Sequence, residues 1–582
     1  MLTQAFGRGP TTPPLLEQTI SEHFSSIVSK YGDRNAVISR HQDKILTYKE
    51  LDRVSNALAR GLLNKGVKKG DRVAVMLGNN IEFATTTYAL FKLGAILVPL
   101  NPAFNSAQVV SALSHLAAAH LIISTETNLP RKDPRSNIRL LKSLIPDLQS
   151  NSLESASVPS LVNVVLVDNS SNRFASREGK TPRSTTRYQD VLEDGGRGRS
   201  LPDQGLQSDD VVNIQFTSGT TSMPKAAMLS HRNILNNGKS IGDRMVLTAD
   251  DVVCCPPPLF HCFGCILGYM ATAAHGSAIV FPSEAFDALA TLQSVQEYAC
   301  TALYGVPTMF LSELELLSSG VVPRTGLSQL RTGIAAGSSI PAELMRKLHR
   351  VLNLTELTIC YGMTETSPVS AMTTTDDPIE KRIDSVGRLL PHVSAKVVDP
   401  LDHSTILRVG ERGELAVSGY LVMKGYWDDE AQSAEVLKSD DDGVVWMHTG
   451  DEACMDSEGY IKITGRIKDL IIKGGENIHP LEVENCLLAH PLVSDVSITG
   501  LPDERYGEVV AAFIVKRKGK EVLNEEDVRS WVRDKLSHHL VPKYIFWVDE
   551  YPKTASGKIQ KFRLRETGIE LLKDSKEVSA KL

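Results

Sequence analysis

The sequence lacks the features that mark membrane-spanning and nucleic-acid-binding proteins. Its 582 residues contain no apolar run of about 18 residues that could cross a bilayer. Lysine and arginine number 63 against 69 aspartates and glutamates, so the net charge is -6 and no broad basic field exists to hold DNA or RNA. We therefore expect no transmembrane segment and no nucleic-acid partner.

The N-terminal residues also lack the basic patch and apolar stretch of a secretory signal. The eight cysteines are therefore expected in a reducing compartment, without disulfides. Cys262 and Cys265 form a CxxC beside His261, and this spacing makes a zinc site one possibility. The surrounding run PPPLFHCFGCILGYM is apolar and no second metal-spaced pair follows, which favours buried thiols.

The hydrophobic pattern predicts a layered α/β protein with a mostly parallel sheet. Between 46 and 66 apolar residues recur at helical spacing, and a turn at Gly70 leads into the strand-like run RVAVML. The same alternation of helix and short apolar strand recurs from 83 to 97 and near 121 to 124. Helices that alternate with buried strands are typical of α/β folds.

A chain of this length exceeds what one hydrophobic core supports, so we expect more than one domain. We predict a large domain over 1–465, a hinge at 466–469, a small α+β domain over 470–575 and a tail at 576–582. Between about 150 and 209 the chain is dense in Ser, Asn, Arg and Gly, and only VNVVLV looks like a buried strand. That stretch is predicted to be mostly surface insertion within the large domain.

A loop of small and hydroxylated residues gives the first functional signal. A strand-like run at 213–216 leads into TSGTTSMPK, which ends at Lys225. Small side chains let backbone N–H groups approach phosphoryl oxygens, hydroxyl groups add donors, and a lysine adds positive charge. Pro224 stands where a Walker loop has its second glycine, so the loop is not that of a P-loop NTPase. An ordinary Ser/Thr/Gly turn is the other interpretation of this loop taken alone.

Nine motifs together resemble those of the adenylate-forming superfamily, which comprises acyl-CoA synthetases, aryl-CoA ligases, luciferases and peptide-synthetase adenylation domains. They follow in the family's order from about 46 to 561: TSGTTSMPKAAMLSH, PPLFHCFG, YGVPTMF, AAGSSIP, YGMTETSP, GELAVSGYLVMKGYW, HTGD, ITGRIKDLIIKGGENIHPLEVE and YPKTASGK. The resemblance implies a large multi-layer α/β N-terminal domain, which binds AMP, and a small mobile α+β C-terminal domain. Ser222 and Ala226 replace glycines of the family's loop, which would strain it if either position needs positive φ.

The resemblance implies a site for ATP and AMP. Its expected residues are Thr217, Ser218, Gly219, Thr220, Thr221, Lys225, Ala336, Gly337, Ser338, Tyr361, Gly362, Thr364, Asp451, Arg466 and Lys558. The catalytic candidates are Lys225, Thr364, Glu365 and Lys558. Lys558 would bridge the substrate carboxylate and the phosphate, and Glu365 would bind the Mg²⁺ that accompanies ATP. Tyr361 would stack on adenine, and Asp451, supported by Arg466, would accept hydrogen bonds from the ribose hydroxyls.

The resemblance also implies an acyl pocket, a passage for coenzyme A and a hinge. The acyl-pocket residues would be His261, Phe263, Tyr304, Gly305, Gly337, Ser338 and Met363. His261 would gate the pocket, or be a satisfied core histidine. The loop at Lys473, Gly474 and Gly475 would admit the pantetheine arm of coenzyme A, and Lys468 would be the hinge about which the small domain rotates.

The last three residues resemble a targeting signal. Ala580, Lys581 and Leu582 form a close variant of the Ser-Lys-Leu tripeptide that the peroxisomal import receptor binds. The tripeptide is the end of a charged segment, LKDSKEVSAKL, which is expected to be accessible. Peroxisomal localisation is therefore predicted, with the import receptor as a partner.

The motifs are most similar to those of medium-chain acyl-CoA synthetases and of fungal peroxisomal acyl-CoA ligases in toxin pathways. An ATP-dependent acid-thiol ligase acting on a hydrophobic acid, through acyl-AMP and then coenzyme A, is the predicted function. A 4-coumarate-type aryl-CoA ligase is the alternative within the same fold, and luciferase-type oxidation would need a luminogenic substrate. A peptide-synthetase domain would be followed by a carrier domain. A catalytically silent acyl-binding protein is the alternative from another class.

Overall fold

The computed structural model describes residues 2–130, 132–170, 182–198, 200–217, 225–337, 340, 342–517, 523–553 and 559–580, with the backbone alone over 574–580. The chain forms two compact units. The smaller unit comprises Met1–Gly7, Ala395–Ala416 and His448–Leu582, and the larger comprises Arg8–Ser394 and Val417–Met447. The predicted hinge segment 466–469 lies within the smaller unit, and its role as a hinge remains a prediction.

The strands are numbered in chain order. They are β1 (Phe6–Arg8), β2 (Asn35–Ser39), β3 (Lys44–Thr47), β4 (Arg72–Met76), β5 (Ile96–Pro99), β6 (His120–Ser124), β7 (Glu126–Thr127), β8 (Arg135–Ser136), β9 (Asn163–Val167), β10 (Thr186–Arg187), β11 (Val211–Thr217), β12 (Lys225–Ser230), β13 (Val252–Cys254), β14 (Ala278–Phe281), β15 (Ala302–Gly305), β16 (Thr332–Ala335), β17 (Glu356–Gly362), β18 (Val369–Met372), β19 (Arg388–Leu389), β20 (Val393–Val398), β21 (Gly413–Gly419), β22 (Leu437–Ser439), β23 (Val445–Met455), β24 (Ile461–Arg466), β25 (Ile471–Lys473), β26 (Glu476–Ile478), β27 (Val493–Asp503), β28 (Gly507–Lys516) and β29 (Tyr544–Trp547).

The helices have the following bounds. The α-helices are Ile20–Tyr31, Tyr48–Asn64, Ile81–Leu93, Ser106–His115, Ile138–Leu144, Tyr188–Gly196, His231–Arg244, Ala271–Ala274, Ala288–Glu297, Pro307–Ser318, Ala342–Leu352, Ile379–Asp384, Glu430–Val436, Pro480–Leu488, Glu525–Arg533 and Lys561–Ala580. Short 3-10 turns lie at Arg40–Gln42, Thr364–Thr366, Ile467–Asp469 and His538–Leu540, and Phe263–Met270 is a π-helix. Among the described residues, no helix combines the length and the apolar character needed to cross a membrane.

Two sheets form the centre of the larger unit. The nine-stranded sheet has the order β19-β18-β17-β16-β15-β13-β14-β2-β3, and the seven-stranded sheet has the order β10-β9-β6-β4-β5-β11-β12. Strands β17, β16, β15, β13, β14 and β2 run parallel to one another. Their side chains are almost all buried, as in parallel sheets that helices cover on both faces. The predicted α/β class is confirmed by this architecture.

Two further sheets and the two-stranded pair β7-β8 contain the remaining strands. One has the order β1-β20-β21-β23-β22 with β24 paired to β23, and the chain passes between the two units within β20, β21 and β23. The other, in the smaller unit, has the order β26-β25-β28-β27 with β29 paired to β28. Its long antiparallel pair β27 and β28 contains the runs VSDVSITGL and VVAAFIV.

Local sequence signals explain where several helices begin. Thr47 caps the helix Tyr48–Asn64 by accepting a hydrogen bond from Glu50 N–H, while the Glu50 side chain accepts from Thr47 N–H. Asn524 and Asp527 form the same reciprocal capping box at Glu525–Arg533. A capping box satisfies two backbone donors that a helix start leaves without partners. The helix Tyr48–Asn64 was predicted from its apolar periodicity.

The predicted surface insertion contains a helix that the sequence analysis did not identify, Tyr188–Gly196. It packs against the helix Tyr48–Asn64, and each of the two helices has a glycine at the contact. A Cβ atom at Gly61 would lie 2.0 Å from the Val191 oxygen, and one at Gly195 would lie 1.9 Å from the Ala57 oxygen. Close packing against a distant segment stabilises this helix, although its glycines lower its intrinsic helix propensity.

The helix Pro307–Ser318 contains a buried carboxyl group. The Glu313 side chain is fully buried, and neither of its oxygens has a hydrogen-bond partner among the described residues. Burial raises the pKa of Glu313 to about 8, because a charged carboxylate is poorly solvated in an apolar core. Glu313 is therefore neutral in the folded protein at neutral pH.

We predict that Glu313→Gln removes a loss of stability that the wild type shows as pH rises toward about 8. Between the ordinary glutamate pKa and about 8, the folded state keeps a proton that the unfolded state has released, so the free energy of unfolding falls as pH rises. The fall is about 1.4 kcal/mol per pH unit, and glutamine has no proton to lose. Urea unfolding between pH 5.5 and 8.5 measures it.

The exposed Glu315 on the same helix provides the matched control, Glu315→Gln. The stability advantage of Glu313→Gln over the wild type should widen with pH, whereas the control should follow the wild-type curve. Parallel curves for the wild type and Glu313→Gln would contradict the assignment.

Candidate active site

The parallel strands of the nine-stranded sheet end at one edge. Tyr304 of β15 pairs with Ile334 of β16, which pairs with Thr358 of β17. The three strands are therefore aligned, and the residues that follow them are neighbours. The predicted residues at the ends of these strands or directly after them are Tyr304, Gly305, Ala336, Gly337, Tyr361, Gly362, Met363, Thr364 and Glu365. Ligands of open α/β sheets bind at this carboxyl edge. Ser338 lies outside the described residues.

Two glycines at this edge are required by the backbone. Gly337 has φ +92°, a backbone angle that residues other than glycine adopt only with strain. Gly362 has no room for a side chain, because its Cβ would lie 1.7 Å from the Pro368 oxygen. The backbone between the strand ends is therefore held close to its neighbours.

Glu365 lies in the turn after β17 and is only 6% exposed. Its Oε1 atom accepts a hydrogen bond of 2.8 Å from the Tyr426 hydroxyl, and its backbone oxygen accepts one of 2.9 Å from Met423 N–H. Burial and the adjacent Glu365 carboxylate hold the pKa of Tyr426 far above its usual value, so this hydroxyl remains a donor. Sequence analysis named Glu365 but missed Tyr426, although Tyr426 lies within the quoted motif GELAVSGYLVMKGYW.

This environment fits a magnesium ligand. The hydrogen bond from Tyr426 fixes one carboxylate oxygen, and the other, Oε2, is the atom that could bind a hard cation. A carboxylate that is buried and oriented in this way holds its negative charge in one place. The donor chemistry at Glu365 therefore agrees with the predicted Mg²⁺ role.

Lys225 is the first residue of β12 and pairs with Thr217 across the β11-β12 hairpin. Its Nζ atom lies 5.1 Å from the centre of the Tyr426 ring. Lys225, Tyr426 and Glu365 therefore form one charged and aromatic cluster. The predicted loop residues Ser218, Gly219, Thr220 and Thr221 lie outside the described residues, as does Ser222. Ala226 lies in β12 without positive φ, so its replacement of the family's glycine causes no strain there.

Phe263 contacts two other predicted acyl-pocket residues, Tyr304 and His261, and the adjacent Cys262 contacts Thr364 of the predicted nucleotide set. The Phe263 and Tyr304 rings stack with centres 6.3 Å apart. His261 Nδ1 accepts a 3.1 Å hydrogen bond from Phe263 N–H. Cys262 Sγ lies 3.7 Å from His261 Nδ1 and 3.8 Å from Thr364 Oγ1. The fold thus brings together two groups of residues that are about one hundred positions apart in the sequence.

Cys262 and Cys265 are buried in and beside the π-helix, in agreement with the interpretation as buried thiols. Cys265 Sγ lies 3.2 Å from Gln215 Nε2, which donates to it. Burial raises the pKa of the Cys265 thiol well above its usual range. Among the described residues, this CxxC is not part of a group of three side chains placed to hold a metal ion.

Asp451 and Arg466 form a pair in the smaller unit. They face each other in the β23-β24 register, and Arg466 Nε lies 3.1 Å from Asp451 Oδ1. Asp451 is 8% exposed, and its N–H donates to Thr449 Oγ1, whose hydroxyl donates to the Leu415 oxygen. Arg466 thus supports Asp451, as expected for an acceptor of the two ribose hydroxyls.

The predicted coenzyme A loop is the turn between β25 and β26 in the smaller unit. Gly474 and Gly475 have φ +62° and +89°, so both adopt the left-handed conformation that glycine allows. Lys473 Nζ donates a 2.7 Å hydrogen bond to the His539 oxygen. Lys468 lies in the 3-10 turn Ile467–Asp469, and Lys558 lies outside the described residues.

A polar cleft of about 980 Å³ lies elsewhere in the larger unit, at the carboxyl ends of β2, β14, β6 and β9. Glu284 on its wall accepts hydrogen bonds from Asn169 at 2.8 Å and from Asn128. Burial raises the pKa of Glu284. None of the predicted site residues that the structure describes lines this cleft, so it is distinct from the predicted acyl pocket.

Comparison with known proteins identifies the class to which this fold and site belong. The AMP-binding enzyme family matches residues 24–427, and the AMP-binding enzyme C-terminal domain matches residues 482–558. The chain is 42% identical to the acyl-CoA ligase SID4 of Ajellomyces capsulatus over 97% of its own length and 93% of that protein. It is 37% identical to the mitochondrial medium-chain acyl-CoA ligase ACSF2 of Danio rerio, over 97% and 91%.

Among solved structures, ATP-bound MatB from Rhodopseudomonas palustris is similar with a TM-score of 0.76 and 27% identity, over 94% of this chain and 99% of that one. The chain therefore belongs to the AMP-binding enzyme family, in its AMP-forming acyl-CoA ligase branch. The resemblance inferred from the motifs and the predicted fold class are confirmed. Use of ATP and coenzyme A fits this family.

We predict that Tyr426→Phe destabilises the larger unit. The substitution removes the donor to a buried Glu365 oxygen, and a buried acceptor left without a partner costs about 1–3 kcal/mol. Urea unfolding followed by fluorescence measures the change. Tyr420→Phe is the control, because its hydroxyl makes a long 3.5 Å contact with Ser240. Equal effects of the two substitutions would contradict a special role for the Tyr426 hydroxyl.

Proposed function

We propose that the protein activates a hydrophobic carboxylic acid with ATP as its acyl-adenylate and transfers the acyl group to coenzyme A. The observation that carries the proposal is the arrangement at the carboxyl edge of the nine-stranded sheet. There Tyr426 links the buried carboxylate of Glu365 to the cation of Lys225. The neighbouring Thr364 contacts Cys262, which precedes Phe263 in the chain, and the Phe263 ring stacks with that of Tyr304.

In the first half-reaction, the substrate carboxylate attacks the α-phosphorus of ATP. A carboxylate oxygen to phosphorus bond forms, the bond between the α-phosphorus and its bridging oxygen breaks, and pyrophosphate leaves. Two anions approach each other in this step, so positive charge must be placed beside them. We assign this role to Lys225 and Lys558, and hydrogen bonding of the α-phosphate to Thr364. A magnesium ion held by Glu365 would neutralise charge on the leaving pyrophosphate.

In the second half-reaction, the sulfur of coenzyme A attacks the acyl carbonyl carbon. The thioester bond forms, the mixed anhydride bond to phosphate breaks, and AMP leaves. The proposed passage for the pantetheine arm is the turn at Lys473, Gly474 and Gly475, where two successive residues without side chains leave the backbone accessible. Rotation of the small domain about Lys468 is proposed to separate the two half-reactions.

The proposed acid is a medium-chain fatty or polyketide-derived acid. Phe263, Tyr304 and Met363 have mainly apolar side chains, and acyl pockets bind mainly through apolar contact. The printed names of two relatives, a fungal acyl-CoA ligase and a medium-chain acyl-CoA ligase, support an acyl substrate of this class. A role in peroxisomal fatty-acid or secondary-metabolite biosynthesis follows from the substrate class and the C-terminal tripeptide.

We predict that Lys558→Ala abolishes adenylation while leaving nucleotide binding measurable. Purified protein is incubated with ATP, magnesium and a pool of C6 to C14 acids and cinnamates, with and without coenzyme A, and the products are identified by mass spectrometry. The wild type should form acyl-CoA and AMP, and adenylate formation should fall by at least about 100-fold in the variant, because a positioned charge is lost. The exposed helix residue Lys573, changed to alanine, is the control.

The outcomes separate the alternatives. Cinnamoyl products in place of aliphatic ones would reassign the substrate to aryl acids. Adenylates without thioesters would remove coenzyme A as the acceptor. Absence of acid-dependent AMP from the whole pool would contradict the ligase proposal and favour a silent acyl-binding protein.

Peroxisomal localisation is proposed from the tripeptide Ala580, Lys581 and Leu582, although the name of the zebrafish relative places that protein in mitochondria. Lys581 and Leu582 lie outside the described residues. We predict that a fluorescent protein fused ahead of the last dozen residues enters peroxisomes, and that Leu582→Ala abolishes import. Diffuse signal from the unmodified fusion would contradict the localisation.

A further inference from the structure

Three side chains of the smaller unit converge on one point. His448 Nδ1 lies 2.8 Å from Glu414 Oε2, and His403 Nε2 lies 3.2 Å from the same oxygen. The three ligand-type atoms all lie within 4.8 Å of one another. Within the described part of the chain, this is the group of three histidine, cysteine or acidic side chains that is placed to hold a metal ion. No predicted site residue belongs to it.

The fold explains the convergence. Glu414 lies in β21 and His448 in the neighbouring strand β23, so the sheet sets their separation. His403 comes from the turn at 399–405, where Asp402 accepts hydrogen bonds from the Ser404 and Thr405 side chains. The His403 and His448 rings stack with centres 4.5 Å apart, so both imidazoles face the same carboxylate.

We propose that His403, Glu414 and His448 form a binding site for a divalent transition-metal ion of the zinc type. Two imidazole nitrogens and one carboxylate oxygen are donors that Zn²⁺ and Co²⁺ prefer, whereas Mg²⁺ and Ca²⁺ prefer oxygen alone. Bonds of about 2.0–2.1 Å in a tetrahedral site place ligand atoms about 3.3 Å apart. The observed 2.8 and 3.2 Å separations are therefore close to the required geometry.

Two of the three proposed ligands are buried and the third is partly exposed, so a metal ion could reach the site from solvent. The Glu414 and His448 side chains are each 8% exposed, whereas that of His403 is 33% exposed. His403 therefore gives a metal ion a route from solvent, and water could supply the fourth ligand. The turn that carries His403 is at the surface, so a small shift of its ring completes the geometry.

An occupied site would fix the strand that carries Asp451. Glu414 Oε1 also accepts a 3.0 Å hydrogen bond from Gly450 N–H, next to Asp451 in the chain. Metal binding would hold Glu414 and His448 together and so restrain this segment of β23. The consequence for nucleotide binding rests on the proposed function of Asp451, whereas metal binding itself does not.

The test uses the full chain after removal of metals with a chelator. We expect the wild type to bind one equivalent of Zn²⁺ more than His403→Gln, measured by calorimetry and by elemental analysis after desalting. Co²⁺ should give the visible absorption of a four-coordinate site in the wild type, and this absorption should be lost in the variant. The control is His538→Gln, which removes an exposed histidine of the same unit.

Subtracting the zinc bound by His403→Gln from the zinc bound by the wild type corrects for zinc that cysteine thiols elsewhere bind in both proteins. Glu414→Gln is the second variant, because it keeps the side-chain size and an acceptor oxygen while removing the charge. Loss of the equivalent in both variants and its retention in His538→Gln support the site. Equal zinc binding by the wild type and His403→Gln, or no stoichiometric binding by the wild type, would overturn it whether or not the protein activates acids.

Discussion

The level alignment of β13, β15, β16 and β17 is the constraint on which the rest of the larger unit depends. Parallel strands in register deliver their carboxyl ends to one edge, so each following loop starts beside its neighbours. The glycines at that edge keep the loops tight, since Gly362 faces the Pro368 oxygen and Gly337 has positive φ. A shift of one strand would separate residues that are distant in sequence and act together.

A buried carboxylate is the second constraint. Glu365 is held by the hydroxyl of Tyr426, 61 positions later, and Tyr426 in turn faces Lys225. A charge that is buried needs hydrogen bonds and a nearby cation, because desolvation disfavours it. The cluster meets that need within the fold and leaves one oxygen for a hard cation. Its charge arrangement fits the binding of a polyphosphate with its metal ion.

Much of the fold could be predicted from the sequence, because local patterns determine it. The helix Tyr48–Asn64 follows from apolar periodicity and its capping box, and the strand Arg72–Met76 from its apolar run. The helix Tyr188–Gly196 could not, since it depends on packing against a distant helix through glycine. The π-helix Phe263–Met270 also gives no distinct periodicity over so short a run.

The motifs named Glu365, Asp451 and Arg466 because family resemblance marks positions directly. The roles of these residues stay predictions. The motifs did not reveal the partners that the fold supplies. Tyr426 and the group of His403, Glu414 and His448 come together only when separate strands and turns are placed side by side. No spacing in the sequence encodes such long-range contacts. Sequence therefore identified the chemistry, and the structure identified the side chains that position it.

If this protein forms an acyl-adenylate as proposed, it exchanges labelled pyrophosphate into ATP. The exchange needs only the first half-reaction, so coenzyme A is omitted. We expect incorporation of label into ATP that depends on both magnesium and a hydrophobic carboxylic acid. A folded protein that binds ATP but shows no acid-dependent exchange with any acid tested would contradict it.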